Sequence, residues 1–208
     1  MFYYTDQPHG LRHNPFNALV VPRPIGWIST ISATGKINLA PYSFFNAVSY
    51  TPPQVMFSGT GPHAEGGFKD TLRNIQETGE FVVNLATWSL REAVNLSSAP
   101  APRDVDEFGL TGLTAVPSRK VAPPRVGESP VNLECRLAKT VELPSAPNTV
   151  PNTVIFGEVL VVHIDDTIIH DGMLNYERMQ PIGRLGGQSY CKVSEVFDMD
   201  RPNWPIGD

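Results

Sequence analysis

Cysteine is scarce in this chain, which has only Cys135 and Cys191 among its 208 residues. The two lie far apart and form neither a CxxC pair nor a disulfide framework, which favours a reducing compartment. No apolar run approaches the roughly 18 to 20 residues that a membrane span requires. The first residues, MFYYTDQPHGLRHNPF, lack the basic and then apolar pattern of a secretory signal. We therefore expect a cytoplasmic protein that does not enter a membrane.

An excess of positive charge is also missing. Sixteen Lys and Arg stand against twenty-one Asp and Glu, a formal charge of −5. Such a chain has no broad basic field for a polyphosphate backbone, so we expect no nucleic-acid partner. GxxxxGK[ST], GxGxxG after a strand, GxSxG and HExxH are all absent. Phosphate loops, Rossmann dinucleotide sites, serine hydrolases and zinc proteases therefore have no local support.

Metal-ligand spacing is likewise missing from the histidines. The closest approach to such a spacing is His163-x-Asp165-Asp166, which follows a predicted strand. None of the five histidines pairs with a cysteine or carboxylate as a zinc site would require. We predict no metal site.

Proline and glycine, in contrast, are abundant and scattered. Twenty prolines and seventeen glycines separate apolar runs and are not gathered in one tail. This distribution is typical of the turns and loops of a β-rich fold. The length suits one domain, so we predict a single domain over residues 1–208, with an N-terminal arm over 1–15 and a C-terminal tail over 200–208.

Local patterns predict several strands and few helices. Residues 24–32 and 36–40 read as a hairpin around Thr34-Gly35, and KDTLRNIQETG reads as a helix with Asp70 as N-cap and Gly79 as its stop. A short helix is expected near 90–96, a helical turn in DVDEFGLTG, and a long surface connection over 100–130. The further strands are QVMFSG, EFVVNLA, VNLECRLAKTVEL and TVIFGEVLVVHID. Strands and helices do not alternate, so we predict an antiparallel barrel and not a doubly wound sheet.

Three separated stretches carry a family resemblance: RPIGWISTISATGKINLAPYSFFNAVSYTPPQVMFS, KDTLRNIQETGEFVVNL and PIGRLGGQSY. In these the chain resembles the flavin reductase-like, FMN-binding split-barrel family, which includes flavoredoxin and the reductase components of two-component monooxygenases. The resemblance covers most of residues 16–200. It implies a mainly β fold, a six-stranded antiparallel split barrel with Greek-key connections and a few short helices. It also implies a homodimer with FMN near the subunit interface.

The segment NLAPYSFFN, residues 38–46, fits such a cofactor. It neither alternates like a strand nor repeats like an amphipathic helix. We expect Pro41 to interrupt strand pairing and so free neighbouring amides for the polar edge of a flavin. Ser43 and Asn46 offer hydrogen bonds, and aromatic rings beside them offer apolar surface.

With the resemblance, we expect the following residues to bind the cofactor: Trp27, Ser29, Thr30, Ile31, Ser32, Ala40, Pro41, Tyr42, Ser43, Phe44, Asn46, Lys69, Thr71, Arg184, Gly186 and Tyr190. The phosphate would sit at the start of the helix, beside Lys69 and Thr71. No catalytic side chain is predicted.

From the residues alone, plainer interpretations stay open for several members of this set. Phe44 and Phe45 by themselves suit a core better than a cofactor wall, and Trp27 suits either place. The hydroxyl residues 29, 30 and 32 could be outward-facing strand residues. Lys69 could be a solvated lysine at a helix start, and Arg184 a surface arginine in a β-bulge.

The resemblance implies an NAD(P)H-dependent FMN reductase that supplies reduced flavin to a monooxygenase. NADH and NADPH are not distinguished, since the sequence carries no Rossmann marker for the ribose. A tight FMN-binding electron carrier of the flavoredoxin type is the alternative. A barrel that has lost its flavin and serves in binding is a third.

Overall fold

The computed structural model describes residues 1–147 and 149–204. Residues 205–208 of the expected tail lie outside the described residues. The strands are β1 Arg23–Pro24, β2 Gly26–Ile31, β3 Ile37–Tyr42, β4 Phe45–Tyr50, β5 Pro53–Gly59, β6 Glu80–Leu85, β7 Ala115–Val116, β8 Arg125–Val126, β9 Val131–Glu142, β10 Thr153–Ile164, β11 Ile169–His170, β12 Met173–Leu174, β13 Ile182–Arg184 and β14 Tyr190–Lys192. The helices are α1 Pro15–Leu19, α2 Asp70–Thr78, α3 Arg91–Leu96, α4 Glu107–Thr111 and α5 Tyr176–Met179, with a 3₁₀ turn at Asp166–Ile168. Among these described helices, none has the length and apolar character to span a bilayer.

Seven antiparallel strands form the main sheet, in the order β3-β2-β6-β9-β10-β5-β4. The two edge strands, β3 and β4, follow each other directly in the chain and are joined only by Ser43 and Phe44. Since so short a link cannot cross an open sheet, the sheet must curl until its edges meet at this end. The predicted antiparallel barrel is confirmed, with seven strands in the sheet where six were expected. Because β6, β9 and β10 lie between β2 and β5, the order is not a simple meander.

Two apolar clusters lie on opposite faces of β2. The barrel interior holds Ile28 with Phe57 and Phe81, all fully buried. The second cluster holds Trp27 and packs against α3 and α4 through Val94 and Phe108. Each fully buried aromatic or aliphatic side chain contributes about 1.5 to 3 kcal/mol. A strand buried on both faces is thus fixed between two cores.

A close approach inside the barrel requires glycine at position 26. A Cβ there would stand 2.6 Å from Cδ2 of Phe45 on β4. Any larger residue would therefore push β2 away from the ring. Gly26 lets the first residue of β4 enter the barrel beside β2.

Pro41 does not interrupt the strand, contrary to the sequence-based expectation. The pairing of β3 with β2 runs through Trp27↔Pro41 to Gly26↔Tyr42. The Leu39 amide, two residues earlier, points away from β2 and donates to Glu107 Oε2 at 3.0 Å. The backbone amides of residues two apart on a strand point in the same direction. The nitrogen of Pro41 therefore also faces away from β2, on the outer edge of the sheet, where the absence of an N–H costs no hydrogen bond of the sheet.

Helix α2 lies where it was predicted, and the left-handed Gly79 ends it. Its N-cap, however, is Lys69, and Asp70 is the first helical residue. The Asp70 carboxylate accepts instead from Arg73 Nη2 at 2.8 Å and from the Arg103 guanidinium, so its expected capping role is wrong.

The predicted short helices are present as α3 and α4, and Asp106 caps α4 through its side chain. The expected long connection over 100–130 is not wholly irregular. It contains α4 and the small ribbon formed by β7 and β8.

Candidate functional site

A cavity of about 300 Å³ opens between the edge strand β3 and the start of α2. Its walls are formed by four chain segments, within 38–44, 58–64, 69–71 and 97–101, and by Glu107. They contribute Asn38, Ala40, Pro41, Tyr42, Ser43, Phe44, Ser58, Thr60, Pro62, His63, Ala64, Lys69, Asp70, Thr71, Ser97, Ser98, Ala99, Pro100, Ala101 and Glu107. We call it the main cavity. Of the predicted site residues, it unites Ala40, Pro41, Tyr42, Ser43, Phe44, Lys69 and Thr71.

Tyr42 places a buried hydroxyl without a partner in this wall. The residue is 7% exposed, and its hydroxyl lies near that of Thr71 without meeting the geometry of a hydrogen bond to any described residue. Burial raises its pKa to about 12; the Thr71 hydroxyl acts in the opposite direction, and the Asp70 and Glu107 carboxylates add to the rise. The phenol therefore stays protonated and can donate. An unpaired buried donor costs about 1 to 3 kcal/mol, which a ligand acceptor would relieve.

Lys69 is a cation at the start of α2 with no carboxylate within ion-pair distance among the described residues. It is half-buried, and burial lowers its pKa. The first amides of a helix lack intrahelical partners and favour an anion. Thr71, two residues further along the chain, is buried and accepts from Asn38 Nδ2 at 2.9 Å. This corner of the main cavity fits a phosphate group.

The Asp70 carboxylate in the same corner does not cancel that preference. It is held by Arg73 and Arg103 and lies 3.5 Å from His63 Nε2. Two guanidinium groups thus offset its charge locally. Lys69 is left to face the main cavity.

Glu107 ties α4 to the cavity wall. Its carboxylate accepts from the Leu39 amide, and burial raises its pKa, with Asp70 and Asp106 acting in the same direction. The bond satisfies an amide on the free edge of β3. Glu107 therefore fixes the edge strand against the start of α4.

The residues predicted on β2 do not reach the main cavity. Trp27 is fully buried and donates from Nε1 to Ser97 Oγ at 2.9 Å. Ser29 and Thr30 are also fully buried, so the outward-facing alternative is wrong for both. Ser29 Oγ donates to the Pro124 carbonyl and Thr30 Oγ1 accepts from Asn74. These side chains are engaged inside the protein.

The two following residues lie at the hairpin end, away from the cavity. Ser32 Oγ is 3.0 Å from Thr34 Oγ1 and accepts from the Lys36 amide, and Ile31 is half-buried beside it. The structure thus brings none of the predicted residues from Trp27 to Ser32 into the walls of the main cavity.

The remaining predicted residues lie elsewhere. Asn46 is exposed on β4, and its side-chain oxygen accepts from the next amide. Arg184 lines a second cavity of about 370 Å³, which shares Ser43 and Phe44 with the main cavity. Gly186 packs against Ala18 of α1, and Tyr190 lies over the Arg184 guanidinium, 4.5 Å from Cζ to the ring centroid.

Sequence analysis missed the loop over residues 97–101 and the segment over 58–64, which close the main cavity. The first belongs to a stretch of Ser, Ala and Pro that carries no local chemical pattern. Ser97, which lies in the wall, is held by a hydrogen bond from Trp27 across the second apolar cluster. No signal in the sequence around it indicates that contact.

Comparison with known proteins identifies the family. The model of the flavin reductase like domain matches residues 18–183. A protein from Aquifex aeolicus (strain VF5) is 43% identical over 176 residues, which cover 84% of this chain and 86% of that protein. The chain therefore belongs to the flavin reductase-like family.

Solved structures agree with this assignment. Nitrilotriacetate monooxygenase component B from Bacillus cereus is 30% identical, with a TM-score of 0.86, covering 96% of this chain and 98% of that one. A split-barrel protein from Shewanella frigidimarina NCIMB 400 is 22% identical, with a TM-score of 0.80, over 97% of this chain and 99% of that one. The second likeness concerns the fold alone and confirms the split-barrel class.

Proposed function

We propose that this protein is an NAD(P)H-dependent FMN reductase. The observation that carries the proposal is the main cavity itself, where the described part of the chain leaves a cation without an ion-pair partner at the start of α2 and a phenol without a hydrogen-bond partner at the end of β3. Lys69 suits a phosphate and Tyr42 suits a ring acceptor. The likeness to a monooxygenase component B supports delivery of reduced flavin to an oxygenase.

FMN would be held by residues that already fit its two ends. Lys69, Thr71 and the first amides of α2 would bind the phosphate. Pro41 and Phe44 offer apolar surface for the ring system, and the Tyr42 hydroxyl would donate to its polar edge. When bound, FMN accepts a hydride from the nicotinamide, so the flavin supplies the redox chemistry.

The protein would then position the flavin and shield it from water. Phe44 is 37% exposed at the mouth of the main cavity and can cover one side of a planar ligand. The loop over 97–101 limits the access of water from the opposite side. Since the cofactor carries the chemistry, a site without an acid–base pair is sufficient.

We also propose a homodimer in the cytoplasm. The edge strand β4 exposes Val48 at 44% and Tyr50 at 92%, and α1 exposes Leu19 at 73%. Exposed apolar side chains on an unpaired strand edge favour association with a second copy. A twofold pair would cover these residues along β4 and α1.

The absorbance spectrum of the purified protein, followed by NADH and NADPH oxidation with added FMN, tests the function. We expect flavin bands or FMN uptake, and turnover with at least one nicotinamide. FMN that stays bound without turnover by either donor would favour the electron carrier. A colourless protein that takes up no flavin would refute both and favour the binding barrel.

A further inference from the structure

The second cavity, beside the main one, is lined by two arginines and by no carboxylate. Its walls are His13, Asn14, Asn17, Arg23, Ser43, Phe44, Arg184, Leu185 and Gly187. We call it the arginine cavity. It adjoins the main cavity because Ser43 and Phe44 belong to both.

Arg23 is buried there among neutral partners. It is 9% exposed, and its guanidinium donates to the carbonyls of Asn17, Val20 and Leu185. None of the described ion pairs includes it. A buried positive charge without an anion leaves a strong local field, because neighbouring carbonyls offset only part of it.

Arg184 adds a second cation and retains free donors. Its guanidinium contacts the Tyr190 hydroxyl and the Gly187 carbonyl, and its Nε–H has no partner among the described residues. Burial lowers the pKa of Arg23, and the charge of Arg184 lowers it further. Two like charges that face one cavity repel each other, and a bound anion would relieve that repulsion.

The geometry points to an anion site for the diphosphate of the dinucleotide electron donor, a proposal that rests on the proposed function. The proposed site of the FMN phosphate is at Lys69, in a part of the main cavity that does not adjoin the arginine cavity. A donor whose nicotinamide lies on the flavin must extend its diphosphate outward from the ring. The arginine cavity adjoins the ring wall at Ser43 and Phe44, and a guanidinium fork suits paired phosphate oxygens.

The test compares two electron donors on the FMN-loaded protein. NADH carries the diphosphate, whereas 1-benzyl-1,4-dihydronicotinamide carries only the hydride-donating ring. We expect Arg184→Gln to raise the KM for NADH about tenfold or more, the scale of a lost charge-assisted hydrogen bond. The kcat with NADH and both constants with the benzyl donor should stay unchanged. Arg136→Gln removes the same charge from an exposed position on β9 and should change nothing.

Arg184→Lys keeps the positive charge but loses the planar guanidinium that can donate two parallel hydrogen bonds, so it separates the two contributions. We expect it to recover only part of the NADH affinity. An unchanged KM for NADH in Arg184→Gln would overturn the proposal. So would a weaker affinity for FMN with riboflavin binding unchanged, because Arg184 would then hold the FMN phosphate.

Failure of the proposed function is seen separately. If the unmodified protein oxidises none of NADH, NADPH and the benzyl donor, the reductase assignment fails, and binding of ADP-ribose by titration calorimetry then tests the anion site alone. Binding that Arg184→Gln weakens about tenfold would support the site, and no binding to the unmodified protein would overturn it.

Discussion

Trp27 donates its indole N–H to Ser97 Oγ at 2.9 Å, and this bond joins the fully buried face of β2 to the wall of the main cavity. Ser97 in turn donates to the Val94 carbonyl of α3 at 3.1 Å. Trp27 therefore does not line the main cavity itself but contacts Ser97, which does. Trp27, which was predicted at the cofactor, supports the loop over 97–101 that lines this cavity.

Trp27→Phe should lower the free energy of unfolding by about 1 to 3 kcal/mol, because it removes a buried hydrogen bond and some packed volume. Urea unfolding measures the change. Trp88→Phe is the matched control, since Trp88 is 43% exposed, and its loss should be smaller. Equal losses would mean that the bond to Ser97 contributes nothing.

Lys69→Ala should weaken FMN binding about fivefold, the effect of about 1 kcal/mol of charge and dipole interaction, and leave riboflavin binding unchanged. Flavin fluorescence titration measures both. Because burial lowers the Lys69 pKa, FMN affinity should begin to fall at a pH below the titration range of an ordinary lysine. Lys139→Ala, at an exposed position on β9, is the control. An unchanged FMN affinity in Lys69→Ala would remove Lys69 from the site.

Ser43→Leu should abolish the flavin spectrum and NAD(P)H oxidation while circular dichroism remains native. The added side chain would stand between the two cavities, beside the Pro41 and Phe44 surface proposed for the flavin ring. Ser194→Leu makes the same exchange at an exposed position outside both cavities and should bind FMN normally. If Ser43→Leu retains wild-type affinity, the segment over 38–46 serves packing alone.

Glu134 should make the fold sensitive to acid. It is fully buried, accepts from the Arg119 and Lys120 amides at 2.7 and 2.6 Å, and lies 2.6 Å from His163 Nε2. Burial raises its pKa, but these bonds outweigh burial and hold the pKa below the ordinary 4.5. Its stabilisation is therefore complete above pH 4.5 and is lost as the pH falls through the folded-state value.

Glu134→Gln keeps the shape and removes the charge, so we expect it to cost about 2 to 3 kcal/mol at pH 7. The difference from wild type in urea unfolding should shrink as the pH falls below 4.5. A difference that stays constant into the acid range would contradict this account.

Light scattering should give a mass of about twice 22.8 kDa at micromolar concentration. Tyr50→Asp places a charge at the most exposed large hydrophobic residue of β4 and should shift the protein toward the monomer. A wild-type monomer would contradict the proposed homodimer.

Local signals in the sequence predicted local structure well. Gly79 ends α2 because glycine tolerates the left-handed conformation, and the hairpin turn at Thr34-Gly35 joins β2 to β3. Residues 40–44, predicted as a wall because of their irregular composition, do line a cavity, although β3 continues through Pro41 without interruption.

The orientation of β2 could not be predicted in the same way. A strand that alternates between solvent and core shows which residues face inward, but β2 is buried on both faces and shows no such alternation. Glu107 and Ser97 escaped prediction for another reason, since tertiary packing brings them to β3 and Trp27 from distant parts of the chain. The sequence around them carries no pattern of that contact.

The link of Ser43 and Phe44 between the two edges of the sheet has a consequence for how the protein opens. Edge strands separate first in local unfolding, but here both edges are tied to the same two residues, which also line both cavities. Parting β3 from β4 would dismantle both cavities in one event. A molecule held in either of them would therefore slow amide hydrogen exchange along both edge strands together.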